Sequence, residues 1–341
     1  MPIYVPIVRS RAAELKGLKE LHTGVLDAIL PVVELTRSRR TTKNPGGSLE
    51  QSVTNVREIL GDRPFIADLT SLESQQSGEL NDLLSDANDF GNWTTFAATV
   101  LPPTAIPVVH LLDPFVPAEF GAQLRALRRR FSRFALRFPV GYAYVRDALV
   151  ACASEAGDVA GVAVVLDAGF VTRTTAAAKG AELQALLSDT AGFAPWFIST
   201  AASSFPNSVV SAGGGDDTGA FPLIETSLHA SLARQSPGLV YGDYAAIHPE
   251  DFVGTVTNWV PRVDVMLETE FYYHRYRRSD GGYIRAAAEA QADPRFVGLD
   301  CWATKNIAAA AAGAPLGKSP SHWIANRVNF HISRQVERLD L

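Results

Sequence analysis

The feature that most constrains this chain is a rhythm. Eight short apolar or β-branched runs, each ending in a polar residue and followed by a longer helix-period segment, recur through the first 245 residues. The runs cover residues 4–8, 29–35, 64–69, 106–111, 134–138, 162–167, 196–200 and 239–244. Between them, segments 12–21, 48–60, 79–90, 118–131, 141–155, 174–187 and 225–234 carry apolar residues three and four apart, the spacing of one buried helix face. Strands alternating with helices predict a parallel sheet, because only a crossover brings a second strand back parallel to the first. Eight repeats predict a TIM-barrel-like (β/α)8 fold over residues 1–249. An open, doubly wound α/β sheet is the alternative, but Arg9, Ser10 and Arg11 stand where its Gly-rich first turn belongs.

After Tyr244 the rhythm breaks. Segments 263–266 and 271–276 read as a hairpin turning at Glu268, Thr269 and Glu270, followed by helices near 282–292, 307–312 and 322–339. Residues 250–341 are therefore expected to form a C-terminal extension packed on the barrel. Ser211 to Gly219, with Gly213, Gly214 and Gly215, reads as a mobile loop after the seventh strand. Ser48, three residues before Gln51 and just after Pro45, Gly46 and Gly47, predicts a helix start there.

Composition narrows the function classes. With 47% apolar and 20% charged residues, the chain can bury a large core, which excludes wholesale disorder. The net charge of −5 excludes a global positive field, so any polyanion must be met by local basic patches. Two cysteines, Cys152 and Cys301, exclude a disulfide scaffold and an all-cysteine zinc site, and read as small buried apolar residues. The opening residues do not read as a signal peptide, and the apolar tracts are too short or too interrupted to cross a bilayer. A cytoplasmic protein without membrane attachment is expected.

In a parallel α/β barrel, chemistry collects at the carboxyl ends of the strands. This chain places a polar residue near almost every such end: Arg9, Glu34, Asp68, His110, Arg137, Asp167, Ser199 and Asp243. By period-two alternation Glu34 shares a face with Val32, Asp68 with Ile66, His110 with Val108 and Asp167 with Val165. If those faces point inward, the charges converge. Three uses compete. Glu34, Asp68 and Asp167 could hold Mg²⁺ or Mn²⁺ for phosphoryl chemistry while Arg9 or Arg137 neutralises phosphate. His110 could act as a metal-free acid or base. The arginines could simply clamp an anion, or tie the strands together. Residue types alone do not choose between catalysis and binding. The wider catalytic candidates are Glu34, Asp68, His110, Asp167 and Asp243.

Other signatures are missing or fail. No His-Glu-x-x-His and no Gly-x-Ser-x-Gly occurs. "GAPLGKS" at 313–319 ends like a phosphate-binding loop, but its first glycine is one residue too close and Pro320 follows. Three basic clusters remain: Arg37, Arg39, Arg40 and Lys43; Arg125, Arg128, Arg129, Arg130 and Arg133; and His274, Arg275, Arg277 and Arg278. The first could close over a phosphate, the second reads as a solvated helix end, and the third is interleaved with Phe271, Tyr272, Tyr273 and Tyr276 in a pattern suited to base stacking or to packing. On the last helix, Ile324, Val328, Ile332 and Val336 form one buried stripe. Asn329 and His331 lie off it, facing either the barrel mouth or a partner.

Several landmarks fall in a fixed order: "YVPIV" at 4–8, "ILPVVEL" with Pro31 and Glu34, "SSFP" at 203–206, "YGDY" at 241–244 with His248 and Pro249, "GGY" at 281–283, and Trp323, Asn329 and His331. Together they resemble the beta-protein family, named after a protein of bacteriophage T4. The resemblance implies a barrel-like α/β fold and a role in phage or mobile-element biology, on the phage or the anti-phage side, and supplies no reaction. It singles out Glu34, Asp243, Tyr244, Asn329 and His331. Residues and resemblance together predict binding of a phosphate-bearing ligand, nucleotide or nucleic acid, at the strand ends, with metal-dependent hydrolysis as an extension. The candidate binding residues are Arg9, Arg37, Arg137, Tyr244, Arg275, Asn329 and His331. The alternative is a non-catalytic partner or specificity subunit that docks another protein through the hairpin and last helix.

Overall fold

The computed structural model describes residues 1–40, 42, 44–251 and 259–340. Lys43 of the first basic cluster lies outside them. The strands are β1 (Tyr4–Arg9), β2 (Val32–Leu35), β3 (Phe65–Leu69), β4 (Ala105–Pro107), β5 (Phe134–Pro139), β6 (Val162–Phe170), β7 (Phe197–Ser203), β8 (Thr218–Pro222), β9 (Tyr241–Asp243), β10 (Arg262–Met266) and β11 (Glu270–Arg275). The helices are α1 (Ala12–Lys19), α2 (Thr23–Ala28), α3 (Leu49–Leu60), α4 (Gly78–Leu84), α5 (Ala87–Val100), α6 (Pro117–Arg128), α7 (Val145–Ala156), α8 (Ala176–Asp189), α9 (Ile224–Ala233), α10 (Gly282–Ala292), α11 (Trp302–Ala311) and α12 (Pro320–Leu339).

All eight expected runs contain a strand, and these strands form two parallel sheets. One has the order β4-β3-β2-β1-β9, the other β5-β6-β7. Isolated parallel bridges, Val108 to Ala135 and Ser199 to Val240, join the two sheets at both margins. Period two sorts the side chains. Val8, Val33, Phe65, Ala67, Leu136 and Val164 pack on the helices, whereas Val5, Ile7, Val32, Ile66, Ala135 and Val165 form a separate core shared by the two sheets. At Ser48 the expected cap forms: its hydroxyl accepts the Gln51 amide.

The third sheet is antiparallel, β10-β11-β8. Its β10–β11 hairpin turns where the sequence predicts. The segment expected to be a loop up to Gly219 instead ends in a strand, because Thr218 to Pro222 pairs along the edge of β11. Phe271, Tyr272 and Tyr273 are fully buried in a second core with α10, α11 and α12, so the hairpin aromatics pack and offer no stacking surface.

The last helix departs most from its expected pattern. It is buried on nearly every side from Trp323 to Val336, because Val328, Ile332 and Val336 face the helix-side core while Trp323 and Phe330 face the second core. Gly17 permits α1 to lie against it: a Cβ there would come 2.8 Å from the Val328 side chain. The Gly-Lys-Ser ending of "GAPLGKS" serves this helix too, since the Ser319 hydroxyl accepts the His322 amide as its N-cap and Pro320 fills the first turn. Among the described residues, no helix is long and apolar enough to cross a membrane.

Candidate functional site

Lateral register builds the first part of the site. Arg9 pairs across β1–β2 with Glu34, and Glu34 across β2–β3 with Asp68, so three charged residues stand in one row at the strand ends. Arg137 of β5 reaches them from the other sheet. Its Nη1 donates to Glu34 at 2.8 Å and to Asp68 at 2.7 Å, its Nε to Asp167 at 2.9 Å, and its Nη2 to the Tyr244 hydroxyl at 2.9 Å. Tyr244 in turn donates to Asp167 at 2.6 Å. Burial opposes the charge on Arg137, but Tyr244, Asp167, Glu34 and Asp68 outweigh it and hold the guanidinium well above its ordinary pKa. Two guanidiniums and three carboxylates are thus locked together.

This geometry bears on the metal expectation. Glu34, Asp68 and Asp167 do converge, yet they converge on Arg137, and among the described residues no group of three or more His, Cys, Asp or Glu is arranged to hold a metal ion. A divalent ion would have to displace a guanidinium from its three partners.

His110 stands apart from this cluster. Strand β4 ends at Pro107, so alternation from Val108 does not carry through to residue 110. The imidazole packs against Phe90 and Trp93 of α5, and burial pulls its pKa down to about 4. Ser199 is buried on β7, where its hydroxyl donates to the Thr200 carbonyl. Asp243 ends β9 on the side of Tyr4 and Tyr241, which pack with the helices, whereas Tyr244, just past the strand, packs in the core shared by the two sheets. The Asp243 carboxylate accepts from the Tyr4 hydroxyl, from Tyr241 at 2.8 Å and from the Ala245 amide at 2.8 Å, and lies 2.6 Å from His331 Nε2. Burial raises the Asp243 carboxyl, but His331 and the hydrogen bonds prevail and lower its pKa.

His331 and Asn329 therefore face neither the strand-end mouth nor solvent. Both are fully buried, and Asn329 bonds the Ala303 amide and the Gly17 carbonyl. Of the landmarks, Tyr4, Asp243 and His331 fasten the last helix to the sheet, and Asn329 fastens it to α1 and α11. Arg275 is bound to Asp216 at the hairpin edge. Both cysteines are buried, and burial pushes the Cys152 thiol up to about 12.

Beside the Arg137 cluster lies a cavity of about 670 Å³. Its wall on the β1 and β2 side carries Arg9, Arg11, Arg37 and Arg39, and its wall on the β10 and α12 side carries Arg262 and Arg327. Against these six arginines stand three lining carboxylates, Glu14, Glu250 and Asp251. Glu14 accepts the Arg9 amide at 2.5 Å, and burial raises its pKa against the opposing pull of Arg9 and Arg11. Asp251 is engaged by the amide and hydroxyl of Ser74. Arg9 links cavity and cluster: its Nε lies 3.3 Å from Glu34, and its Nη2 donates to the carbonyls of His248 and Pro249. Arg11, Arg37 and Arg39 are exposed and form no ion pair with a described residue.

Sequence reasoning singled out Arg9 and Arg37 and missed Arg262, Asp264, Arg327 and Trp259. One signal was there. Arg327 stands three residues after Ile324, on the face of the apolar stripe, where a charge is out of place unless it is paired or lines a site.

Two comparisons bear on this geometry. Residues 4–337 match the model of the family described as Beta protein. "Protein beta" of Enterobacteria phage P4, a different phage from T4, is 29% identical over 338 residues, which span 98% of this chain and 93% of that protein.

Proposed function

Because the chain belongs to the phage-associated Beta protein family, we propose that it binds a phosphate-bearing ligand in the arginine-lined cavity at the strand ends. The observation that carries this reading is the surplus of guanidiniums on the cavity wall, three of them without a carboxylate partner among the described residues. Guanidiniums in a concave site bind phosphate oxygens through charge-assisted, often paired hydrogen bonds. The volume falls within the roughly 300–1,000 Å³ of small-molecule sites, which suits a nucleotide better than a long strand.

The same reading takes the two parallel sheets as one barrel-like ring, supported by the bridges at both margins and by the core they share. Ligand then enters at the carboxyl ends of the strands, as in TIM barrels. The Arg137 cluster forms the floor of that end and fixes the backbone from which Arg9 reaches the cavity. Binding rather than hydrolysis is the activity assigned, since the carboxylates expected to hold a metal are engaged by Arg137. The buried hairpin aromatics likewise favour a ligand site over docking through the hairpin.

Thermal denaturation with inorganic phosphate and with mono- and dinucleotides tests this, because a ligand that binds only the native state raises Tm. A rise is expected, and Arg37→Gln combined with Arg39→Gln should shrink it. No rise at saturating concentrations would overturn the reading.

A further inference from the structure

The two walls of the cavity are charged in different ways. On the β1 and β2 side, Arg11, Arg37 and Arg39 are exposed and form no ion pair with a described residue. On the far side, Arg262 and Arg327 share a single carboxylate. Asp264 lies 2.8 Å from Arg262 Nε and accepts from Arg327 Nη1 at 3.2 Å. Among the described residues two guanidiniums thus share one carboxylate at ion-pair distance, and Glu14, the other acid whose charge reaches Arg327, also serves Arg9 and Arg11. Arg327 is only 7% exposed, and its Nε has no hydrogen-bond partner. Its guanidinium packs 4.0 Å over the Phe205 ring, which itself stacks on Phe271. Buried guanidiniums that must share their counter-charges are costly to fold, and an anion that enters the cavity relieves that cost.

Resting on the phosphate-binding reading above, we infer that the Arg262–Asp264–Arg327 wall is a second anion subsite, so that the ligand carries two separate phosphate groups, as a 5′-phosphorylated dinucleotide does. One phosphate meets the exposed arginines of the β1 and β2 side. The other meets the preorganised pair, which loses little side-chain freedom on binding. Asp264 is a positioning residue here: it aims both guanidiniums and does not touch the ligand.

Titration calorimetry on the full chain, with a 5′-phosphorylated dinucleotide and with the corresponding mononucleotide monophosphate, tests this through the ratio of the two affinities. The dinucleotide should bind at least about tenfold more tightly. Arg262→Gln and Arg327→Gln, made separately, should each collapse that ratio toward one, and Arg327→Lys should partly restore it. Each Gln variant leaves Asp264 paired with the remaining arginine, so both keep an ion pair that supports folding. A native ratio near one, or a ratio unchanged in both Gln variants, overturns the second subsite while leaving the anion cavity standing. Failure of either ligand to bind overturns the inference together with the reading beneath it.

Discussion

At the Arg137 cluster each charge meets its opposite within hydrogen-bond distance, whereas a few residues away on the cavity wall arginines outnumber carboxylates and three have no partner among the described residues. The residue types are the same and both places lie at the carboxyl ends of the strands. The difference is one of geometry. Arg137 stands on a strand facing three carboxylates from other strands, so its charge is consumed by the fold. Arg11, Arg37 and Arg39 follow the ends of β1 and β2, where none of them forms an ion pair with a described residue. Convergence of charged residues is thus a poor marker of a ligand site by itself, and an unbalanced set is a better one.

The most direct way to break this comparison is Arg137→Met. It leaves three buried carboxylates facing one another, and loss of one partner from a buried ionic cluster typically costs roughly 3–5 kcal/mol. Denaturant unfolding should show a loss of that size. If the variant kept its stability but lost phosphate binding, the cluster and not the cavity would be the site.

A second test sharpens the contrast without touching arginine. Glu225, beside Asp243, has its pKa pushed up to about 7 by burial, with the Asp243 charge adding to the effect. A carboxyl raised on folding contributes stability that is fully present below its unfolded pKa and is lost as pH rises through the folded value. Stability should therefore fall on the order of 3 kcal/mol between about pH 4 and pH 7, and Glu225→Gln should flatten that slope. Asp243 runs the other way, since its lowered pKa gives stability that disappears only in acid. A slope unchanged in Glu225→Gln would refute the assignment.

Smaller effects are expected at the helix contact and at the cavity rim. Gly17→Ala drives a methyl into Val328, and such overpacking costs about 1–3 kcal/mol, readable as a lowered Tm. Arg37→Gln with Arg39→Gln removes no ion pair with a described residue, so the change in unfolding free energy should stay within about 0.5 kcal/mol even as phosphate binding weakens. A large destabilisation would mean that these arginines, like Arg137, serve the fold.

What the sequence determined by itself is what depends on local periodicity. The eight parallel strands, the helix start at Ser48 and the hairpin at 268–270 follow from patterns within a dozen residues, and alternation put Glu34, Asp68 and Asp167 on the inward face, with His110 expected beside them. Where alternation was pushed beyond a strand, it failed: β4 ends at Pro107, and His110 packs with α5. Tertiary structure alone decided the rest. Only packing brings Arg137 to carboxylates from β2, β3 and β6, places the last helix between two cores so that Asn329 and His331 become fasteners, and sets Arg327 of that helix across a cavity from Arg37. These pairings join residues up to hundreds of positions apart, and no local period encodes which charge will meet which. Hydrophobic alternation fixes which way a side chain faces, and the closing of sheet against sheet and helix fixes what it meets there.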